Sequence, residues 1–256
     1  MKASPRRTSA TSPLRTAVRD GVAWLTLDRP AAGNAISQPL AQALCTVTEA
    51  VELDETIHLV VIEAAGKDFC VGVEHRGDWE HECDGIAAIA RLTVPVVAAV
   101  HGHVIDEGCE LALACDLRLM ADDARWQFTQ ISNGRMPAHG ATQRLPRIVG
   151  RMRALGLLLT GRTVDSTEAE AIGLATRVFP SSHFADRMRA FVGELATRGP
   201  IALRYAKEAV QRGLDLTLDH GIRLEHDLYV LLQTTADRAE GVRAFLEKRR
   251  PKFTGS

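Results

Sequence analysis

The chain has 256 residues, 46% of them hydrophobic, which is enough to bury a sizeable core and suits one large α/β domain, perhaps with an appendage. A formal net charge of −1 argues against nucleic acid as the main partner, because phosphate-binding domains carry a basic excess. No apolar run approaches the ~20 residues that cross a bilayer, so no membrane is expected among the partners. The cysteines (Cys45, Cys70, Cys83, Cys109 and Cys115) are odd in number and show neither metal-ligand nor C-x-x-C spacing. Free thiols in a reducing compartment, and no metal site, are the expectation.

The first residues, MKASPRRTSATSPLRTAVR, contain no acid before Asp20 and resemble a transit peptide in composition. Pro5 and Pro13 spoil an amphipathic helix there, so residues 1–17 read as a disordered tail. Gly21–Leu27 alternates as a strand and ends at Asp28-Arg29-Pro30; the loop AAGNAIS then leads into a helix with Leu40, Leu44, Val47 and Val51 at helical spacing. Leu59–Ile62 is a buried strand, followed by the mixed loop AAGKDFCVGVEHRGDWE and a helical stretch, Asp78–Leu92.

The stretch His101–Asp116, HGHVIDEGCELALACD, follows another buried strand, Val94–Val100. Strand, turn and helix start would bring free backbone N–H groups and the positive end of a helix dipole to one point. Such a point can hold an anion or a developing oxyanion. Glu110 stands one turn into that helix as a candidate proton carrier.

Leu117–Met120 is a further strand, Trp126–Gly140 is an irregular loop suited to lining a pocket, and Gly150–Thr160 is helical. Thr167-Glu168-Ala169-Glu170 has capping-box spacing and opens a short helix that Gly173 can close. Ala175–Phe179 is the last strand; beyond His183 the chain is helical, with breaks at Gly199-Pro200, near Gly213 and near Asp237. Strands alternating with helices to residue 180, then helices alone, predict an α/β fold of stacked ββα or βαβ units with a helical C-terminal region.

GKDFCVGVEHR (Gly66–Arg76), HGHVIDEGCELALACDLRLMA (His101–Ala121) and PAHGATQRLPRIVG (Pro137–Gly150) together resemble the crotonase (enoyl-CoA hydratase/isomerase) superfamily. DRPAAGNAIS, LTGRTVDSTEAEAIGLATRVFP and AEGVRAFLEKRRPKF match in the same order, so the resemblance covers about residues 18–254. It implies a crotonase-like spiral of ββα units over 18–195 and a helical region over 196–256 that serves oligomerisation and covers the pocket. It also implies trimers or dimers of trimers, and an acyl-CoA thioester substrate whose carbonyl oxygen is held by two backbone N–H groups. Coenzyme A enters as part of that substrate and no separate cofactor is expected. The cytoplasm is the expected compartment, ahead of a mitochondrion.

By the same resemblance the oxyanion donors are the amides of Val73 and Glu107, and Glu110 is a catalytic acid/base. Gln130 stands where hydratases of the family carry a second glutamate; an amide orients water or substrate but cannot act as acid or base. Asp106 and Glu107 replace a glycine-rich run. They either face the thioester, with Asp106 as an auxiliary acid/base, or complement the helix N-terminus. If either position needs a positive φ, an acid costs more there than glycine. Ala35, Glu74, His75, Arg76 and Gly108 are expected to contact CoA or substrate. His139 and His75 could be acid–base groups, since histidine titrates near neutrality, but match no general family requirement and read rather as surface or loop histidines. Trp126 and Phe128 read as pocket or core, and the basic residues Lys248, Arg249, Arg250 and Lys252 as a solvated run or a phosphate contact. The expected activity is enoyl-CoA hydration. An isomerase or CoA-ester hydrolase on the same fold is the close alternative, and a catalytically silent acyl-CoA-binding subunit is the alternative of another class.

Overall fold

Short β-branched runs form the centre of the molecule. In the computed structural model, which describes residues 12–74 and 84–256, β1 (Leu14–Arg19) and β2 (Val22–Leu27) pair antiparallel. The register then continues in parallel through β3 (Leu59–Ala64) and β4 (Val96–Val100). α1 (Gln38–Leu53) lies between β2 and β3, and α2 (Gly85–Arg91) between β3 and β4.

The next elements are β5 (His103–Ile105), α3 (Glu107–Ala114), β6 (Leu117–Ala121), β7 (Arg125–Gln127), α4 (Ala141–Val149) and α5 (Arg151–Thr160). β8 (Val164–Asp165), α6 (Ser166–Ala171) and β9 (Arg177–Phe179) complete the strand-bearing part. The large sheet runs β1-β2-β3-β4-β6-β9 and the small one β5-β7-β8. Isolated parallel bridges Ile36↔Val73 and Cys70↔Val104 extend the small sheet beyond β5. Each turn of the spiral therefore lays a strand in the large sheet, an extended segment along the small one, and then a helix.

Strand alternation buries both faces of the large sheet. Val60, Ile62, Ala98 and Val100 face the main core with Leu40 and Leu44 of α1, Ile86 and Ile89 of α2, and Leu111 of α3. Leu59, Val61, Val97, Ala99 and Leu119 face Met188 and Val192 of α7 (Phe184–Ala196). Burial on both faces is what near-continuous Val/Ile/Leu strands require. α8 (Pro200–Gly213), α9 (Leu218–Gln233) and α10 (Ala236–Leu246) finish the chain, and the last residues return to α10, where the Thr254 and Gly255 N–H groups donate to the Asp237 carboxylate.

Several expectations need correction. Residues 14–17, assigned to a tail, belong to β1, which starts at Leu14, where antiparallel pairing with β2 overrides the polar composition; residues 1–11 lie outside the described residues. The short helix after β8 is capped by Asp165, whose Oδ1 accepts from the Glu168 N–H at 2.8 Å, so Thr167 is not its cap. Pro137–Gly150 contains a helix, α4, and the loop 126–140 includes β7. The break expected near Asp237 is present, at Thr234-Thr235, with Asp237 in the first turn of α10. Cys70, Cys109 and Cys115 are free and buried, as expected, but Cys45 is disulfide-bonded. Part of the stretch Asp78–Leu92, its residues 78–83, lies outside the described residues, within which α2 starts at Gly85.

Candidate active site

The N-terminus of α3 is the meeting point of the three motif stretches. β5 ends at Ile105 and Asp106 turns the chain with φ +49°, ψ −109°, a conformation costing a non-glycine residue on the order of 1–3 kcal/mol. That cost is met by the side chain. The buried Asp106 carboxylate accepts from the Thr129 N–H, from Thr129 Oγ1 at 2.7 Å and from the Arg135 guanidinium at 2.9 Å. Arg135 also lies 3.6 Å from the Glu107 carboxylate. The two acids thus clamp the loop 129–135 onto the helix start.

On the other side, the segment 70–74 is laid against α3. A Cβ on Gly108 would stand 2.2 Å from the Cys70 carbonyl oxygen, so only glycine permits this approach of helix to strand. Gly72, at φ +108°, passes the Glu107 carboxylate; a Cβ there would lie 3.4 Å from it. Next to it, the Gly72 carbonyl accepts from Ile36 N–H at 2.8 Å and Glu74 N–H donates to the Ile36 carbonyl at 2.8 Å. The Val73 N–H between them consequently points away from Ile36, and no hydrogen bond among the described residues uses it. Glu107 is the first residue of α3, so its N–H is directed out of the helix N-terminus.

Glu110 is fully buried one turn further on. Its Oε1 accepts from the His139 N–H at 2.7 Å and the Ala141 N–H at 3.1 Å. Its Oε2 has no hydrogen-bond partner among the described residues. Burial pushes its pKa above the ordinary carboxylate value, against the two N–H donors that favour the charged form. Gln130 is also fully buried, and neither its Oε1 nor its Nε2 has a partner among the described residues. Buried polar side-chain atoms are almost always paired, so open hydrogen-bonding atoms on both residues mark a place for a polar ligand.

A sequence profile described as enoyl-CoA hydratase/isomerase matches residues 17–256. The chain is 35% identical over 243 residues to the 2,3-dehydroadipyl-CoA hydratase of Escherichia coli K12, covering 91% of this chain and 95% of that one. It is 33% identical to the (E)-benzylidenesuccinyl-CoA hydratase of Thauera aromatica, covering 95% of this chain and all of the other. The crystal structure of an enoyl-CoA hydratase from Bacillus anthracis superposes with a TM-score of 0.89 at 31% identity, covering 95% of this chain and 100% of that one. The chain belongs to the enoyl-CoA hydratase/isomerase family. It has the crotonase fold and is an acyl-CoA enzyme of the enoyl-CoA hydratase type.

Against that family background the candidate site residues divide. Val73, Glu107, Glu110, Asp106 and Gln130 converge on the α3 N-terminus, as the motif order implies. Asp106 does not stand open as an auxiliary acid/base; its oxygens are taken up by Thr129 and Arg135. Neither does its charge merely cap the helix, for Asp106 makes no side-chain cap hydrogen bond. Gly108 serves close packing against Cys70, which needs no substrate contact to explain it. Ala35 is buried and its carbonyl accepts from Arg29 at 3.3 Å, while the Glu74 carboxylate is paired with Arg29 at 2.6 Å. His75 and Arg76 lie outside the described residues. Trp126 and Phe128 belong to the main core. In the basic run, Arg249 is tied to Glu240 at 2.6 Å.

His139 lies in the loop before α4, as expected, but it is not free: its side chain is 34% exposed, its Nδ1 meets Asp84 Oδ2 at 3.1 Å and its N–H holds Glu110. The hydrogen bond to Asp84 pushes its pKa above the ordinary histidine value, against partial burial. Asp84 also accepts from the Ala87 N–H as the cap of α2. A signal was present in PAHG, a titratable residue beside the glycine that opens α4, but its partner lies 55 residues upstream.

Proposed function

We propose that this enzyme adds water to α,β-unsaturated acyl-CoA thioesters. The observation that carries the reading is Glu110, a buried carboxylate with one oxygen anchored by two backbone N–H groups and the other open beside an oxyanion-type helix start. The thioester carbonyl oxygen is held between the Val73 and Glu107 amides, each such donor worth on the order of 3–4 kcal/mol of transition-state stabilisation. Negative charge gathering on that oxygen makes the β-carbon electrophilic. Glu110 Oε2 takes a proton from the water that attacks there, and its raised pKa brings it nearer the operating pH of a general base. Gln130 orients that water or the thioester through its amide and transfers no proton. The relatives named above are hydratases of unsaturated acyl-CoA thioesters, which supports this substrate class.

Coenzyme A enters only as part of the substrate in this scheme, with no further cofactor. Assembly as a trimer or dimer of trimers is part of the proposal, supported by exposed apolar side chains on the C-terminal helices, among them Leu218, Ile222, Val230, Phe245 and Leu246. A cytoplasmic location is proposed alongside it; no described helix is long and apolar enough to cross a membrane.

The test is turnover of crotonyl-CoA, followed as loss of enoyl absorbance, for wild type, Glu110→Gln and Gln130→Glu. Hydration predicts an active wild type, a dead Glu110→Gln and a faster Gln130→Glu. A wild type that binds several enoyl-CoAs and turns over none overturns it. Isomerisation is the second reading, because Gln130 removes one of the two glutamates that hydratases of the family use while a double-bond shift needs only one base; it predicts that conjugated absorbance appears from a 3-enoyl-CoA.

A further inference from the structure

We propose that His139, held by Asp84, is a second proton-transfer residue of this site and delivers the α-proton that Gln130 cannot. The proposal rests on the hydratase reading and names the missing partner of Glu110. The amide of Gln130 leaves a gap, since addition of water takes one proton from the nucleophile and places one on carbon. His139 is the residue whose backbone N–H holds Glu110, at 2.7 Å, and its ring lies close enough to feel the Glu110 charge. Its Nδ1 is engaged by Asp84 at 3.1 Å, and no hydrogen bond among the described residues involves its Nε2. A carboxylate on Nδ1 fixes the ring and supports the imidazolium, leaving Nε2 as the working atom.

The electrostatics agree. The groups around the ring are Asp84 at the start of α2, and Glu110 and Glu107 on α3, all of which favour its cation. Arg144 of α4 bonds the His139 carbonyl at 2.6 Å. Burial by itself would raise Asp84, but the hydrogen bonds from His139 and the Ala87 N–H outweigh it and hold the carboxyl below its ordinary value. Both shifts favour the charged pair, imidazolium with carboxylate.

The step balances as follows. The water oxygen forms a bond to the β-carbon while Glu110 takes one of its protons, and the π pair of the double bond moves towards the thioester to give the enolate. The enolate electrons then form a C–H bond at the α-carbon with the Nε2 proton of the imidazolium. Glu110 is left protonated and His139 neutral. Transfer of one proton from Glu110 to His139 restores both.

The experiment compares wild type, His139→Gln and Asp84→Asn by crotonyl-CoA hydration across pH and by exchange of the α-protons of butyryl-CoA in deuterated water, followed by NMR. All these variants keep the residue 139 N–H that holds Glu110, and thermal melts confirm folding. The expected result is that His139→Gln loses roughly 10²-fold in kcat with little change in KM, and loses α-exchange equally. Asp84→Asn is expected to shift the alkaline limb of the kcat profile to lower pH, because the imidazolium loses its counter-charge. A folded His139→Gln within about 3-fold of wild type, with the same pH profile and the same exchange rate, overturns the proposal. So does a change confined to KM. Because α-exchange needs enolate formation but no hydration, a wild type that exchanges without hydrating overturns the hydratase reading while the role of His139 is still decided.

Discussion

The His139 N–H and the Ala141 N–H converge on the same oxygen of Glu110, at 2.7 and 3.1 Å, so the start of α4 is fastened to the middle of α3 by a single carboxylate oxygen. A division of labour within the carboxyl group follows: Oε1 is occupied in holding the fold, and the proposed hydration assigns the chemistry to Oε2.

Glu110→Gln should separate these roles. A glutamine oxygen can keep both N–H bonds, so the fold survives, while removal of the base costs about 10²–10⁴ in kcat. The same variant reports on stability. A carboxyl whose folded pKa is raised binds more protons in the folded state than in the unfolded one, so its contribution falls as pH rises from the ordinary value of about 4.3 through the raised one. Relative to Glu110→Gln, the wild type should therefore lose ground in urea unfolding as the buffer moves from pH 4 towards neutrality; a pH-independent difference would contradict the assignment.

Asp106→Ala should be costly out of proportion to its size. It removes the acceptor of both Thr129 groups and of Arg135, and leaves the strained positive φ without its compensation. A fully buried ion pair broken on one side costs about 3–5 kcal/mol; Arg135 is 29% exposed, so about 2–3 kcal/mol is expected in denaturant unfolding. Loss of activity in the folded fraction should accompany it, as the loop bearing Gln130 comes loose.

Gly108→Ala tests close packing. With a Cβ placed 2.2 Å from the Cys70 carbonyl oxygen, α3 must shift away from the segment bearing Val73. Destabilisation at the upper end of the 1–3 kcal/mol range for overpacking is expected, together with a fall in kcat. A variant with wild-type melting temperature and rate would refute the packing account.

Thiol chemistry should be silent in the folded protein. Burial pushes Cys70 and Cys115 up to about 12 and Cys109 well above the ordinary thiol range. Iodoacetamide at pH 8, read by peptide mass spectrometry, should leave these three unmodified in the folded state and label all of them in urea. Rapid labelling of any of them without denaturant would count against the structure around it.

Long periodic segments were legible in the sequence. Leu40, Leu44 and Val51 mark the buried face of α1, and Leu59–Ile62 reads as a strand because four consecutive apolar residues need burial on both faces. The acid Glu110 and the amide at Gln130 were visible through motif order. β5 and β7 were not, since three residues are too few to show a period, and their pairing partners lie elsewhere in the chain. The contacts of Asp106 and His139 were hidden for a related reason. Each is set by a partner distant in sequence, Arg135 for one and Asp84 for the other, and no local pattern encodes such a meeting.

The pairing of Ile36 with the residues on either side of Val73 has a consequence for binding thermodynamics. An amide at the tip of an unpaired loop would have to be immobilised when the thioester arrives, and that lost freedom would be subtracted from affinity. Here the orientation is settled during folding, by the two hydrogen bonds to Ile36. The entropic loss then belongs to the unfolded chain and leaves the bound complex undiminished. If the Val73 amide holds the thioester oxygen as proposed, thioesters differing only in their acyl tails should meet the same contact there, and differences among them in affinity should arise from the tail alone.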